Sequence, residues 1–415
     1  MSVRQRRTVV LASAAVALVA LTACGSGNSS GGGGKKSGVT LKVLIGSSGD
    51  AETNALNAAG KAWGAKTGNK VVVTPAKDLT QELTQALAGG TPPDIFYVDA
   101  SRFQTLTKAN ALADVGAKVK DSADIYPSLQ KAFTEDGHYY CVPKDFSNLA
   151  LEINTTLWAK AGLTDADIPT TWGQLETVAK KLTTGGVTGL VIGDSLDRLG
   201  AFMHQAGGAV ISEDGSKVTA NSPQNLAALQ YVQKLGKEKV LQFPKQVSAG
   251  WGGEAFGKGK AAMTMEGNWI VGAMKADYPS VKYKVVELPA GPSGKATLSF
   301  TNCWGVAAKS ANQSAAIDFV DFLTTTDQQV TFAKDFGVMP SRQAAKSQFV
   351  SLYPDQQAFV TGTDHAFGPV GFPGFAAVQK DFEAGINGLA DGSSDPKKLL
   401  DSLQKNAEDA LKNGG

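Results

Sequence analysis

The chain has 415 residues, with 40 basic and 38 acidic side chains and a formal net charge of +2 at pH 7. Beyond the N-terminal arginines there is no long basic block, so nucleic-acid binding has no electrostatic support. The length exceeds what one hydrophobic core usually serves, and two domains are expected.

The first residues read as an address. Arg4, Arg6 and Arg7 precede a mostly apolar run over residues 9–21, the length of a signal-peptide core and too short to span a bilayer. Leu21-Thr22-Ala23-Cys24 then fits a lipobox, predicting cleavage after residue 23 and a lipid on Cys24. Arg6-Arg7 matches a twin-arginine signal only loosely, so the export route stays open. Cleavage would remove three of the 40 basic residues and leave 37 against 38 acidic ones. Residues 24–38 form a Gly/Ser-rich linker, a tether reaching roughly 20 Å. The expected location is the extracellular face of the cytoplasmic membrane.

From residue 39 short apolar strands alternate with amphipathic helices. "VTLKVLIG" (39–46) reads as a strand, and Leu56, Ala59 and Trp63 mark the helix that follows. "KVVVTP" is a second strand, Leu79, Leu83 and Leu87 a second helix that Gly89-Gly90 stops, and "PPDIFYVD" a third strand. Phe103 and Leu106 lie on the next helix. "TTWGQLETVAKKLTTGG" carries a Thr cap and a Gly stop, and Ser222-Pro223 opens a helix expected to end at Gly236. "GKAAMTMEG" (259–267) is a strand followed by a short helix, and helices are expected over 314–323, 327–337 and from Pro396 onward. "AGWGGEAF" reads as a Gly-rich loop. This alternation indicates α/β architecture with parallel sheets.

Enzyme signatures fail one by one. His138, His204 and His365 are too far apart to pair as metal ligands on one helix, and no G-x-S-x-G elbow is present. "GKGKAA" (257–262) precedes a strand where a dinucleotide fingerprint would follow one, and "GGGGKKS" is no Walker A match. No enzyme activity, cofactor or metal is expected. With Cys24 lipidated, Cys141 and Cys303 remain. An even pair in an oxidising compartment reads first as a disulfide, and otherwise as two separate buried thiols.

Five segments, in order, resemble one family. They are "LAGGTPPDIFYVD", "HYYCVPKDFSNLALEINTTLWAKAGL" with the following "PTTWGQL", "AFGKGKAAMTMEGNW", "NCWGVAAKSANQSAAIDFVDFL" and "GVMPSR". From residue 39 onward the chain resembles the family 1 extracellular solute-binding proteins of ABC importers, the maltose-binding-protein-like group. Cys141 departs from that pattern by standing where the family usually has Gly, and "LEINTT" replaces "YYNK". The segments holding Cys141 and Cys303 run close together near the family's hinge, so the resemblance implies a disulfide between them.

The resemblance further implies a two-lobe periplasmic-binding-protein-like fold, with hinge strands and an interlobe ligand cleft. Lobe 1 is expected over 39–146 and 305–345, and lobe 2 over 147–304 and 346–415. The implied function is capture of an extracellular carbohydrate, expected to be an oligosaccharide. A monomer would deliver it to membrane permease subunits served by a separate ATPase. A polyamine, a phosphorylated polyol or another polar solute is the alternative. Sugars stack on aromatic rings and hydrogen-bond to carboxylates and amides, which selects the candidate contacts. These are Ser48, Asp99, Asp145, Phe146, Trp251, Glu254, Glu266, Asn268, Trp269, Asn302, Arg342 and Phe372. Trp269 stands where the family places a stacking aromatic, and Phe372 lies in a loop where relatives carry one. Asp99 serves equally well as a helix cap, Arg342 as half of an ion pair, and Trp304 as hinge packing. Trp63, Trp158 and Trp172 sit on apolar helix faces and are expected in the core.

Overall fold

The computed structural model describes residues 38–47 and 50–414. Cys24 and Ser48, with the readings attached to them, lie outside the described residues. Two five-stranded sheets organise the rest. The first runs Lys70–Pro75, Thr40–Ile45, Ile95–Asp99, Asn302–Val306, Cys141–Pro143. The second runs Leu241–Gln242, Thr188–Ile192, Ala261–Glu266, Ala150–Asn154, Tyr283–Val286.

Neither sheet is wholly parallel, which corrects the expectation of parallel sheets. Asn302–Val306 runs antiparallel to both of its neighbours, and so does Ala150–Asn154. The reason is connectivity. Each inserted strand enters its sheet from the other one, without the helical crossover that keeps strands parallel. The segments between the sheets pair in a small sheet of their own, ordered Ala366–Phe367, Thr297–Phe300, Ser147–Asn148. A third passage lies beside them, where the Phe146 N–H donates to the Met339 carbonyl at 3.1 Å. The boundary expected at 304/305 falls inside Asn302–Val306, all of which pairs in the first sheet.

Cys141 and Cys303 are joined, their Cα atoms 5.5 Å apart. The bond ties the two strands that carry the chain out of the first sheet and back into it. Both cysteines are fully buried.

The helices follow their apolar spacing. Asp50–Thr67 buries Ala55, Leu56, Ala59 and Trp63, and the Trp63 ring meets Phe319 with centroids 5.0 Å apart. Trp158 and Trp172 are buried as expected. The expected stop at Gly236 gives way to a helix running Pro223–Lys237. Gly236 instead admits a neighbour: a Cβ there would meet the Ala390 backbone at 2.4 Å. Ala390 belongs to Phe375–Asp391, a helix not anticipated from sequence although Phe375, Val378, Phe382, Ile386 and Leu389 repeat at helical spacing. "AGWGGEAF" is also no open loop, since Gly252–Gly257 is a helix with Trp251 at its N-cap.

Candidate functional site

Carboxyl ends of strands from both sheets converge on one cavity of about 1010 Å³. This is where open α/β sheets place ligands, because strand ends leave a crevice that loops can line.

Its most exposed large ring is Trp269, 40% accessible, which follows the Ala261–Glu266 strand. The indole is held from several sides. Its N–H donates to Glu266 Oε2 at 3.1 Å, and Phe300 meets it edge-on with centroids 5.5 Å apart. The Arg198 guanidinium lies 5.4 Å from the ring centroid, and Arg198 Nη2 donates to Glu266 Oε2 at 2.5 Å. Gly267 lets the ring fold over the backbone, since a Cβ there would stand 2.2 Å from it. Beneath Glu266, Glu152 accepts the Glu266 backbone N–H at 3.0 Å. Burial, and then the charge of Glu266, push the Glu152 carboxyl well above its ordinary range.

The opposite side is charged. Lys144 follows the Cys141–Pro143 strand and donates to Glu52 Oε1 at 2.9 Å and to Asp145 Oδ2. Tyr97 O–H donates to that same Glu52 oxygen at 2.7 Å, and the Lys144 ammonium lies 4.8 Å from the Tyr97 ring centroid. Burial disfavours the Lys144 charge, but Asp145 and Glu52 outweigh it and hold the group ionised. Burial raises the Asp145 pKa while Lys144 opposes the rise. Trp304 packs edge-on against Tyr97 at 4.8 Å, behind this cluster.

Six of the expected residues line the cavity: Asp99, Asp145, Phe146, Asn268, Trp269 and Asn302. Asp99 also caps the helix Ala100–Lys108, accepting the Arg102 N–H at 3.1 Å, so both of its anticipated roles are open to it. Asn268 spends part of its amide on the Gly337 carbonyl at 2.9 Å. Glu266 stands behind Trp269 and does not line the cavity.

Four others point elsewhere, each for a visible reason. Arg342, 4% accessible, donates to the carbonyls of Thr324, Asp121 and Lys120 and cross-links loops. Phe372 packs against Phe375 in the core, centroids 4.8 Å apart. Trp251 and Glu254 belong to the Gly252–Gly257 helix and its cap, where Glu254 accepts the Gly250 N–H at 2.6 Å and pairs with Lys258. Sequence reading missed Glu52, Lys144, Asp197, Phe300 and Tyr353 among the lining residues. Lys144 adjoins Asp145 in a segment already singled out. Asp197 follows a strand end closely, as ligand contacts in such folds do. Among the described residues no three His, Cys, Asp or Glu side chains are placed to hold a metal ion.

A family model described as bacterial extracellular solute-binding protein matches residues 58–358. The diacetylchitobiose binding protein DasA of Streptomyces coelicolor is 27% identical over 414 residues, covering 91% of each chain. A maltooligosaccharide ABC transporter solute-binding lipoprotein of Streptococcus pneumoniae is 24% identical, covering 82% of each. Among solved structures, the cyclic alpha-maltosyl-1,6-maltose binding protein from Arthrobacter globiformis superposes with a TM-score of 0.81 at 26% identity, over 91% of this chain and 100% of that one.

Proposed function

The chain belongs to the bacterial extracellular solute-binding proteins, and on that premise we propose that it captures an extracellular oligosaccharide in the cleft and hands it to the permease of an ABC importer. One observation carries the sugar: a 40% accessible indole, Trp269, presented at the cleft and fixed by Glu266, Phe300 and Arg198. Exposing so large an apolar face costs solvation free energy unless a partner covers it. The C–H face of a pyranose is such a partner, and the surrounding carboxylates and amides take its hydroxyls.

The cleft draws Trp269 from one lobe and Asp99 from the other, with Asp145 on a connecting segment. A ligand touching all three favours the closed arrangement by its differential contacts. No bond is made or broken. The lipid on Cys24, the lobe boundaries and the monomeric state belong to the same proposal. The lipobox and the lipoprotein among the relatives support the lipid, and the strand connectivity supports two lobes, with the second crossing ahead of Asn302.

Thermal unfolding against chito- and malto-oligosaccharides, spermidine and glycerol 3-phosphate tests the reading. A ligand at a hundred times its dissociation constant adds about 2.7 kcal/mol to the native state, a shift of a few degrees. A shift with one saccharide series is expected. A shift with spermidine or glycerol 3-phosphate alone would overturn the sugar.

A further inference from the structure

Asp197 is a cleft carboxylate apart from the Trp269 and Lys144 clusters. It lies in the first turn of the helix Leu196–Gln205, just beyond the Thr188–Ile192 strand, and lines the cleft. It also borders a small side pocket under Gly368–Val370, where Gln379 joins it. The neighbouring cation, Arg198, makes no ion pair with it. Arg198 commits its Nη2 to Glu266 and its Nε to the Met265 carbonyl at 3.2 Å. Among the described residues the Asp197 carboxylate has neither a hydrogen-bond partner nor an ion-pair partner, although it is mostly withdrawn from water. Burial raises its pKa, Arg198 opposes that, and Glu383 adds to it.

Lys144 is the buried ammonium of the lining, and two carboxylates, Glu52 and Asp145, already share it. Asp99 adds another negative charge at the cleft. The remaining lining cations, Lys275 and Lys334, are exposed side chains on helices. Among the described lining residues, an anion entering the interior would therefore meet Asp197 and Asp99, while the buried Lys144 ammonium is already shared by two carboxylates. Hydrogen-bond donors would meet acceptors on both walls.

We propose that Asp197 is a specificity-determining contact: it accepts hydrogen bonds from donor groups of the bound sugar, hydroxyl or ammonium, and together with Asp99 it excludes solutes carrying phosphate or carboxylate. This rests on the oligosaccharide reading and narrows it to neutral or amino-bearing saccharides. A site built of acceptors discriminates strongly, because a mismatched ligand leaves them desolvated and unpaired.

The test is calorimetric titration of the full chain and of Asp197→Asn. The probes are diacetylchitobiose, chitobiose, maltotriose, glucosamine 6-phosphate, maltose 1-phosphate and spermidine. A neutral or amino saccharide should bind at least about 100-fold tighter than the phosphorylated probes. Asp197→Asn, with an unfolding midpoint no lower than the parent's, should weaken it by about 10-fold or more and narrow the gap to the phosphorylated probes. An ammonium contact would show as weakening when the pH rises through the amine's titration, and a hydroxyl contact as none. Equal binding of a phosphorylated probe, or unaltered affinity and ranking in Asp197→Asn, would overturn the proposal. Spermidine binding alone, lost in Asp197→Asn, would keep the contact and defeat the sugar. Silence across the probes would defeat both.

Discussion

The indole N–H of Trp269 donates to Glu266 at 3.1 Å, and the oxygen that accepts it is the one that Arg198 Nη2 reaches at 2.5 Å. The ring proposed to meet the ligand is thus held by a largely buried ion pair. Its orientation does not depend on the ligand being present, so little ordering cost falls on binding.

Removing that anchor should separate position from presence. Glu266→Ala leaves Trp269 in the sequence but frees its N–H and strands a largely buried Arg198. Unfolding free energy should fall by about 3 kcal/mol, and saccharide affinity by more than about 10-fold. Glu254→Ala, on a helix outside the cavity lining, should leave affinity unchanged. Urea unfolding and calorimetry on the two variants check this, and equal effects would contradict it.

The Cys141–Cys303 bond closes a loop of 162 residues in sequence separation. In the chain-entropy picture such a loop stabilises by roughly 5 kcal/mol. Replacing both cysteines by alanine should lower the thermal midpoint by several degrees. A non-reduced digest should show the two peptides joined by mass spectrometry. Two free thiols in the native protein would contradict the assignment.

Glu152 gives a pH signature of defined sign. Burial and the charge of Glu266 raise its folded pKa well above the ordinary value. A raised acid contributes stability that is complete below its unfolded pKa of about 4.3 and is lost as pH rises towards the folded pKa. Glu152→Gln cannot ionise. Its stability relative to the parent should therefore climb between pH 4 and pH 8, whatever constant offset the amide introduces. Urea midpoints at pH 4, 6 and 8 measure the climb, and a flat difference would contradict it.

What sequence could reveal depended on the range of the contacts. Trp63, Trp158 and Trp172 were legible as core because an apolar helix face is a local pattern. Trp269 and Asn268 were legible from the strand-end segment that carries the family resemblance. Gly236 was misread as a stop because the residue that demands a glycine, Ala390, lies far along the chain. Trp251 and Glu254 were misplaced because three glycines suggested a loop, whereas Gly252–Gly257 packs as a helix against the Ala261–Glu266 strand. Lys144 and Glu52 are 92 residues apart, and their pairing follows from sheet order and no local motif. Arg342 and Phe372 have side-chain types that suit a ligand, but tertiary partners claimed both. Residue type narrows the candidates, and only topology says which of them face the cavity.

The most direct test of the account is calorimetric titration of chito- and malto-oligosaccharides into the parent chain and into Trp269→Ala. One neutral or amino-bearing series should bind the parent, and Trp269→Ala should weaken it by about 10- to 100-fold, while the free variant stays folded with its unfolding midpoint lowered by no more than a few degrees. Equal affinity in the two proteins, or no saccharide bound by folded parent, would contradict it.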